Sequence, residues 1–105
     1  MSYLFESRTS FNGNICGWDV GNGMNIKNML WNAAYFQRDI SGWDISKVTC
    51  MENMFRITQA FNGNLNSWDA SQVTNMNNMF RNTQAFNGDI SGWDASKVAN
   101  MAKMF

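Results

Sequence analysis

The chain has 105 residues, of which eight are Lys or Arg and eight are Asp or Glu, so its formal net charge is zero. Such a charge balance does not steer a protein to nucleic acid or to an anionic membrane. The sequence contains no histidine, which excludes Ser–His and Cys–His nucleophile pairs and zinc sites with a histidine ligand. No apolar run approaches the roughly 18 residues of a membrane helix, and charges interrupt the first residues before the core of a signal peptide develops.

One pattern recurs four times with a period of 25 residues. Its most visible members are a phenylalanine column and a tryptophan column, namely Phe11, Phe36, Phe61 and Phe86, and Trp18, Trp43, Trp68 and Trp93. A strict period of this length is typical of proteins whose repeats stack on one another. We therefore predict a single domain, 1–105, with repeat units at 6–30, 31–55, 56–80 and 81–105. Residues 1–5 match the tail of a preceding unit, and we expect the chain to be a segment of a longer array or to have its ends covered by a partner.

The first half of each unit carries a turn-and-strand pattern. In the third unit, Asn62-Gly63 marks a turn, and the segment that follows alternates apolar and polar residues up to Trp68. In the second unit Gln37-Arg38 stands at the same place, which indicates that this turn does not require a positive φ. Stacking is expected to place the copies of this strand side by side in a parallel sheet.

The second half of each unit carries apolar residues at positions i, i+3, i+6 and i+7, which is the spacing of one helix face. The pattern occurs as Val48, Met51, Met54 and Phe55, as Val73, Met76, Met79 and Phe80, and as Val98, Met101, Met104 and Phe105. Ser46, Ser71 and Ser96 precede these stretches, where an N-cap belongs. The predicted fold class is therefore an α/β repeat solenoid, leucine-rich-repeat-like, with four 25-residue coils that each contain a short strand and a short helix, and with a parallel sheet on one face.

The tryptophan and methionine columns have two interpretations each. Stacked tryptophans on an exposed face could bind sugars, but their phase with Ile40, Leu65 and Ile90 favours a buried column. Thioether columns could bind a soft metal, but helical spacing beside Val and Phe favours core packing. We expect both columns to line the interior.

The aspartate column that follows the tryptophans is the best candidate for chemistry. Four carboxylates one coil apart, Asp19, Asp44, Asp69 and Asp94, could hold Ca²⁺. Asp44, Asp69 and Asp94 are each followed by a small or apolar residue and then Ser, without the Gly-rich oxygen-ligand turn of calcium repeats. Helix capping, or a bond to the next turn of the chain, is the favoured interpretation.

Three further groups of residues favour structural roles. The asparagine column at Asn12, Asn62 and Asn87 is expected to bond the backbone of the neighbouring coil. The threonine columns, Thr49 with Thr74 and Thr58 with Thr83, are too interrupted for a flat ice-binding face. The two cysteines, Cys16 and Cys50, occupy different repeat columns, which favours two buried free thiols over a disulfide.

The residues Phe-Asn-Gly-Asp-Ile-Ser-Gly-Trp-Asp-Ala-Ser-Lys-Val at 86–98, followed by Met101 and Met104-Phe105, resemble a known repeat. They are similar to a repeat of the same length in mycoplasma surface lipoproteins of unknown function, which is part of the BspA-like leucine-rich group. The resemblance covers the whole chain. It implies a leucine-rich-like fold, a surface or secreted location for many members, and adhesion or binding of host or matrix proteins for some. It brings no catalytic residues to this chain.

These observations predict a non-enzymatic module for protein–protein contact within an adhesive or surface-exposed array. The candidate interaction face consists of Ser41, Asn66, Ser91, Asp44, Asp69 and Asp94. The alternative is a structural role, in which copies of the chain assemble end to end or side by side. Carbohydrate binding would require an exposed tryptophan. We expect no catalytic residue, metal or cofactor, no nucleic-acid partner and no insertion into a membrane.

Overall fold

The computed structural model describes residues 5, 7–13, 25–88 and 90–105. Within these ranges the backbone forms no helix, and so there is no helix that could cross a membrane. Its β structure is confined to isolated parallel bridges that join equivalent residues, Asn25 to Cys50, Cys50 to Asn75 and Asn75 to Asn100. The predicted leucine-rich-repeat-like α/β solenoid, with a strand and a helix in each coil and a parallel sheet, is therefore wrong. The described parts of the units are instead successions of tight turns.

The segment from Met51 to Thr58, predicted to be mostly helical, shows why no helix forms. In an α-helix each N–H donates to a carbonyl of the preceding turn. Here every second N–H group bonds to the next unit. The acceptors are the carbonyl oxygens of Asn75, Asn77, Met79 and Arg81, which the N–H groups of Met51, Asn53, Phe55 and Ile57 reach with N···O distances of 2.9–3.0 Å. The N–H groups between them close tight turns at 3.0–3.2 Å, from Met54 to Met51, from Arg56 to Asn53 and from Thr58 to Phe55. Apolar side chains at helical spacing thus reach the core without a helix.

Two columns of residues adopt the left-handed backbone conformation, which interrupts a helix wherever it occurs. The φ angles are 54–60° at Asn28, Asn53, Asn78 and Lys103, and at Ser7, Asn32, Ile57 and Asn82. Asn53 and Ile57 are the third residues of the turns 51–54 and 55–58, where a type II turn needs a positive φ. Asparagine tolerates this conformation, whereas a β-branched residue such as Ile57 adopts it rarely.

Equivalent residues of successive units lie next to one another. Besides the bonds of the turn segments, the N–H of Thr74 donates to the carbonyl oxygen of Thr49, and that of Ala99 donates to Thr74, both at 2.8 Å. Two asparagine side chains of the left-handed column also meet: Nδ2 of the buried Asn53 donates to Oδ1 of the buried Asn28 at 3.0 Å. The 25-residue repeat is therefore a repeat in space for the described part of the chain.

The core combines stacked aromatic rings and thioethers with aliphatic side chains. Ring centroids lie 6.0 Å apart for Phe36 and Phe61, and 6.3 Å apart for Trp43 and Trp68. The indole Nε1 of Trp68 donates to the carbonyl oxygen of Ile40 at 3.0 Å, so the buried ring has its polar group satisfied. The buried methionines are Met29, Met51, Met54, Met76 and Met79.

The prediction of an interior tryptophan column is thus confirmed for Trp43 and Trp68, while Trp93 is half-buried and Trp18 lies outside the described residues. The prediction of an interior methionine column is confirmed for the five buried methionines and is wrong for Met101, which is exposed. The threonine column also has a structural role: the hydroxyls of the buried Thr58 and Thr83 donate to the carbonyl oxygens of Leu30 and Phe55, each 28 residues earlier in the chain.

The glycines of the Asn-Gly pairs make room for phenylalanine rings. No described glycine has a positive φ, which confirms the expectation drawn from Arg38. A Cβ on Gly63 would lie 2.7 Å from Cζ of Phe61, and one on Gly88 would lie 2.9 Å from Cζ of Phe86. The Phe61 ring cannot move aside, because it is fully buried and stacked against Phe55 with a centroid distance of 4.4 Å.

Gly63→Ala is expected to destabilise the protein by about 1–3 kcal/mol, since its methyl group would overlap a fixed ring. Gly42→Ala is the matched control: apart from its chain neighbours, no atom lies within 4 Å of the place that the added methyl group would take, and its φ is not positive. That substitution should stabilise the protein by up to about 1 kcal/mol through the unfolded chain. Urea unfolding of both variants measures the difference, and equal free energies of unfolding would refute the packing role of Gly63.

Exchanging residues within the second left-handed column tests its backbone strain. Ile57→Asn should increase the free energy of unfolding, while Asn82→Ile should lower it by about 1–2 kcal/mol, because isoleucine bears the cost of the left-handed conformation that asparagine tolerates. Asn82 is exposed, so its replacement removes little packing. Thermal unfolding followed by circular dichroism measures both effects, and an Asn82→Ile variant as stable as the parent would contradict this account.

Candidate interaction face

The aspartates of the candidate face lie in exposed turns closed by their own side chains. Oδ1 of Asp44, Asp69 and Asp94 accepts the N–H of the serine two residues later at 2.9–3.0 Å. This is an Asx turn, in which a side chain replaces a backbone carbonyl as the acceptor. The serines are Ser46, Ser71 and Ser96. Their predicted role as helix N-caps is wrong, because no helix follows them, and they act instead as donors to the aspartates.

The three aspartates form one column of negative charge. Asp44 and Asp94 are close enough to Asp69 for their charges to act on it, and this repulsion works to raise its pKa. The Ser71 hydroxyl and then the Ser71 N–H outweigh that repulsion, so the pKa of Asp69 is lowered overall. Hydrogen bonds from Ser46 lower the pKa of Asp44 in the same way, and those from Ser96, its N–H first, lower that of Asp94. All three groups are therefore held in the charged form.

The second column of the predicted face is Ser41, Asn66 and Ser91. Asn66 and Ser91 are exposed, whereas Ser41 is half-buried. The N–H of Ser41 donates to Oδ1 of Asp39 at 2.9 Å, and that of Asn66 donates to Oδ1 of Asn64 at 3.0 Å. The same turn chemistry thus holds both columns. The equivalent acceptor for Ser91, Asp89, lies outside the described residues.

A shallow groove of about 420 Å³ adjoins this second column and was not predicted from the sequence. Its polar lining includes Gln37, Arg38, Asp39, Ser41, Asn62 and Asn64. Nε of Arg38 donates to the carbonyl oxygen of Asn12 at 2.7 Å, which fixes the side chain across two units. The departure of Gln37-Arg38 from the Asn-Gly pattern was the available signal. It marks the point at which one unit differs from the others on its surface.

The predicted asparagine ladder is confirmed where the structure describes it. Oδ1 of Asn12 accepts the N–H of Gln37 at 3.1 Å, and Oδ1 of Asn62 accepts the N–H of Asn87 at 2.7 Å. These side chains bond the backbone of the neighbouring unit. Their role is therefore structural, although they lie beside the groove.

Two further points raised by the sequence concern a metal site at the aspartate column and free thiols at the two cysteines. In the part of the chain that the structure describes, no group of three or more Cys, Asp or Glu side chains is arranged to hold a metal ion. Asp19, the first member of the aspartate column, lies outside that part. Cys50 is a half-buried free thiol, and Cys16 is outside the described residues.

Comparison with protein-family models matches residues 1–105 to a family described as Mycoplasma protein of unknown function, DUF285. No similar protein was found among curated proteins, and no similar chain was found among solved structures. The family description assigns no activity.

Replacing the three column aspartates by asparagine, in Asp44→Asn/Asp69→Asn/Asp94→Asn, should keep the turns and weaken their response to acid. Because hydrogen bonds lower the folded-state pKa of these carboxyls, their stabilising effect is present above the unfolded-state pKa of about 3.9. It is lost as the pH falls through the folded-state pKa. An amide oxygen accepts the same hydrogen bond without titrating, as Asn64 and Asn75 already do.

Thermal unfolding between neutral and acidic pH checks this expectation. The parent protein should lose more stability on acidification than the triple variant does. Asp69→Ala serves as the control for the turn itself, since it removes the acceptor and should destabilise the protein at neutral pH. Identical acid profiles for the parent and the triple variant would show that ionisation of these aspartates does not contribute to stability, and an Asp69→Ala variant as stable as the parent at neutral pH would show the same for the turn.

Proposed function

Because a family model covers the whole of it, the chain belongs to the Mycoplasma family of unknown function DUF285, and we propose that it is a non-enzymatic module that binds protein partners. The proposed contact surface is the aspartate column of Asp44, Asp69 and Asp94, with the neighbouring column of Ser41, Asn66 and Ser91. The resemblance to BspA-like surface-protein repeats adds two elements to the proposal, a location at the cell surface or outside the cell, and a role in adhesion.

The division between interior and exterior is the observation that carries the proposal. The buried aromatic and methionine side chains pack between units and are not accessible to a partner. The repeated groups offered to solvent on the proposed face are carboxylates, an amide and hydroxyls on turns that their own hydrogen bonds hold in place. Side chains on a fixed backbone lose less freedom on binding, so such a surface is favourable for recognition.

The charge of the face indicates the chemistry of the partner. Turn hydrogen bonds lower the pKa of Asp39, Asp44, Asp69 and Asp94, so all four are charged at neutral pH; Lys47 and Lys97 lie near Asp44 and Asp94, which leaves Asp69 the least compensated of the column. A partner segment that carries Lys or Arg would relieve the mutual repulsion within the column. We therefore expect the partner to present a basic surface, and the association to weaken as salt is added.

Assembly of the chain with copies of itself is the second candidate, and one observation favours it. Phe105 is 71% exposed and Met101 is 45% exposed, while their equivalents in the inner units, among them Phe55 and Met51, are buried. A further unit supplied by another copy would cover both side chains in the way that the third unit covers Phe55. This candidate would place the interaction at the fourth unit and not on the aspartate face.

Binding to immobilised matrix proteins tests the main proposal. Fibronectin, laminin and collagen should be compared as surfaces for the parent chain and for the Asp44→Asn/Asp69→Asn/Asp94→Asn variant. We expect salt-sensitive binding of the parent to at least one surface, and a loss of roughly tenfold or more in the variant, as for the removal of several close charge pairs. Gln84→Ala, an exposed change outside both columns and the groove, should bind like the parent.

Three results would count against the proposal. These are no binding to any of the surfaces, equal binding by the triple variant, or equal losses in the triple variant and Gln84→Ala. Sedimentation velocity over a concentration series separates the second candidate. Self-assembly would be favoured by a sedimentation coefficient that rises with protein concentration. The rise should be abolished by Met101→Ser/Phe105→Ser and unaffected by the aspartate changes.

A further inference from the structure

Tyr35 breaks the repeat at a surface position where packing does not require an aromatic ring. The equivalent residues of the other units are Ser10, Ala60 and Ala85. Tyr35 is 65% exposed. Among the described aromatic residues, Phe105 alone is more exposed. A side chain that is mostly in water gains little from the hydrophobic effect. The fold therefore does not account for tyrosine at this position.

The backbone beside Tyr35 is fixed by hydrogen bonds between neighbouring units. The N–H of Tyr35 donates to the carbonyl oxygen of Thr9 at 3.2 Å, and the N–H of Ala60 donates to that of Ala34 at 3.0 Å. Small side chains at Ala34 and Ala60 leave a depression of about 420 Å³ beside the tyrosine. We call it the Tyr35 site, and its lining is Thr9, Ala34, Tyr35, Gln59 and Ala60.

We propose that the Tyr35 site binds a neutral hexopyranose unit of a glycan. The face of an aromatic ring is electron-rich and attracts the polarised C–H bonds on the apolar face of a sugar. The amide of Gln59 carries a donor and an acceptor, which suit two adjacent sugar hydroxyls, and Thr9 adds a hydroxyl that both donates and accepts. The volume falls within the range of small-molecule sites, about 300–1,000 Å³.

The lining of the site decides between classes of ligand. No charged side chain is among its lining residues, so a charged ligand would find no counter-charge there. A wholly apolar ligand would cover the polar groups of Thr9 and Gln59 without giving them partners, which is unfavourable. A neutral polyhydroxylated ring satisfies both conditions.

The two buried tryptophans cannot provide this function. Trp43 and Trp68 are buried and donate or stack within the core, so the sugar-binding alternative raised for their column does not apply to these two residues. Tyr35 supplies the exposed aromatic surface that such binding requires. The inference is independent of the aspartate face, because the two surfaces share no residue.

Saturation-transfer difference NMR tests the site, with methyl β-glucopyranoside, cellobiose and lactose at millimolar concentration as probes. We expect saturation transfer from the parent protein, strongest to the protons on one face of the sugar ring. Tyr35→Ala should weaken the affinity by about tenfold, the loss of one stacking contact. Tyr35→Phe keeps the ring and should remain within about threefold of the parent. Gln59→Ala should weaken binding without changing which sugar face is saturated.

The fold is expected to survive each change, because Tyr35 and Gln59 are exposed, and circular dichroism verifies this directly. Absence of saturation transfer from the parent to all three sugars would overturn the proposal. Equal transfer from the parent and Tyr35→Ala would also overturn it, since binding would then lie elsewhere. A proline-rich peptide added as a fourth probe gives a further outcome: binding of the peptide without binding of any sugar would overturn the sugar assignment.

Discussion

The structure depends on the division of backbone hydrogen bonds between a unit and its neighbour. In the segment from Met51 to Thr58, alternate N–H groups close local turns, and the others donate to the next unit. A single unit would leave that second set without protein partners, and it would also expose rings that stack on rings of the neighbouring unit. Backbone groups without partners and rings exposed to water are both unfavourable. The units therefore stabilise one another collectively. The bonds in register also bring equivalent side chains next to each other, which creates the columns.

The sequence revealed the columns but not the backbone that carries them. Burial of Phe61 and Trp68 and the bonding of Asn12 followed from the period, because equivalent residues in stacked units share an environment. The helix prediction failed because apolar residues at i, i+3, i+6 and i+7 also suit a chain of overlapping turns. Asparagine at positions 28, 53 and 78 was the distinguishing signal, since it accepts the left-handed conformation that a helix interior excludes. Ile57 and Lys103 concealed that signal.

The sequence predicted the exposure of the aspartates but not their local structure. The aspartates were expected at the surface and are exposed there, but they accept from the serines two residues later and cap no helix. The Asp-x-Ser spacing occurs in the second, third and fourth units. Arg38 and Tyr35 were missed as site residues for a different physical reason. A repeat comparison emphasises what recurs, and recurrence reflects packing, whereas surface residues that packing leaves free are visible only as departures from the pattern.

The same turn accepts two residues of different charge. At one column the acceptor is Asp39 in the second unit and Asn64 in the third, and each receives the N–H of the residue two places later at 2.9–3.0 Å. Aspartate and asparagine differ there by one unit of charge and by no backbone change. The electrostatic character of the exterior is thereby uncoupled from the scaffold. Descendants of such a chain could alter which partners they attract, one codon at a time, while keeping the turn at those positions.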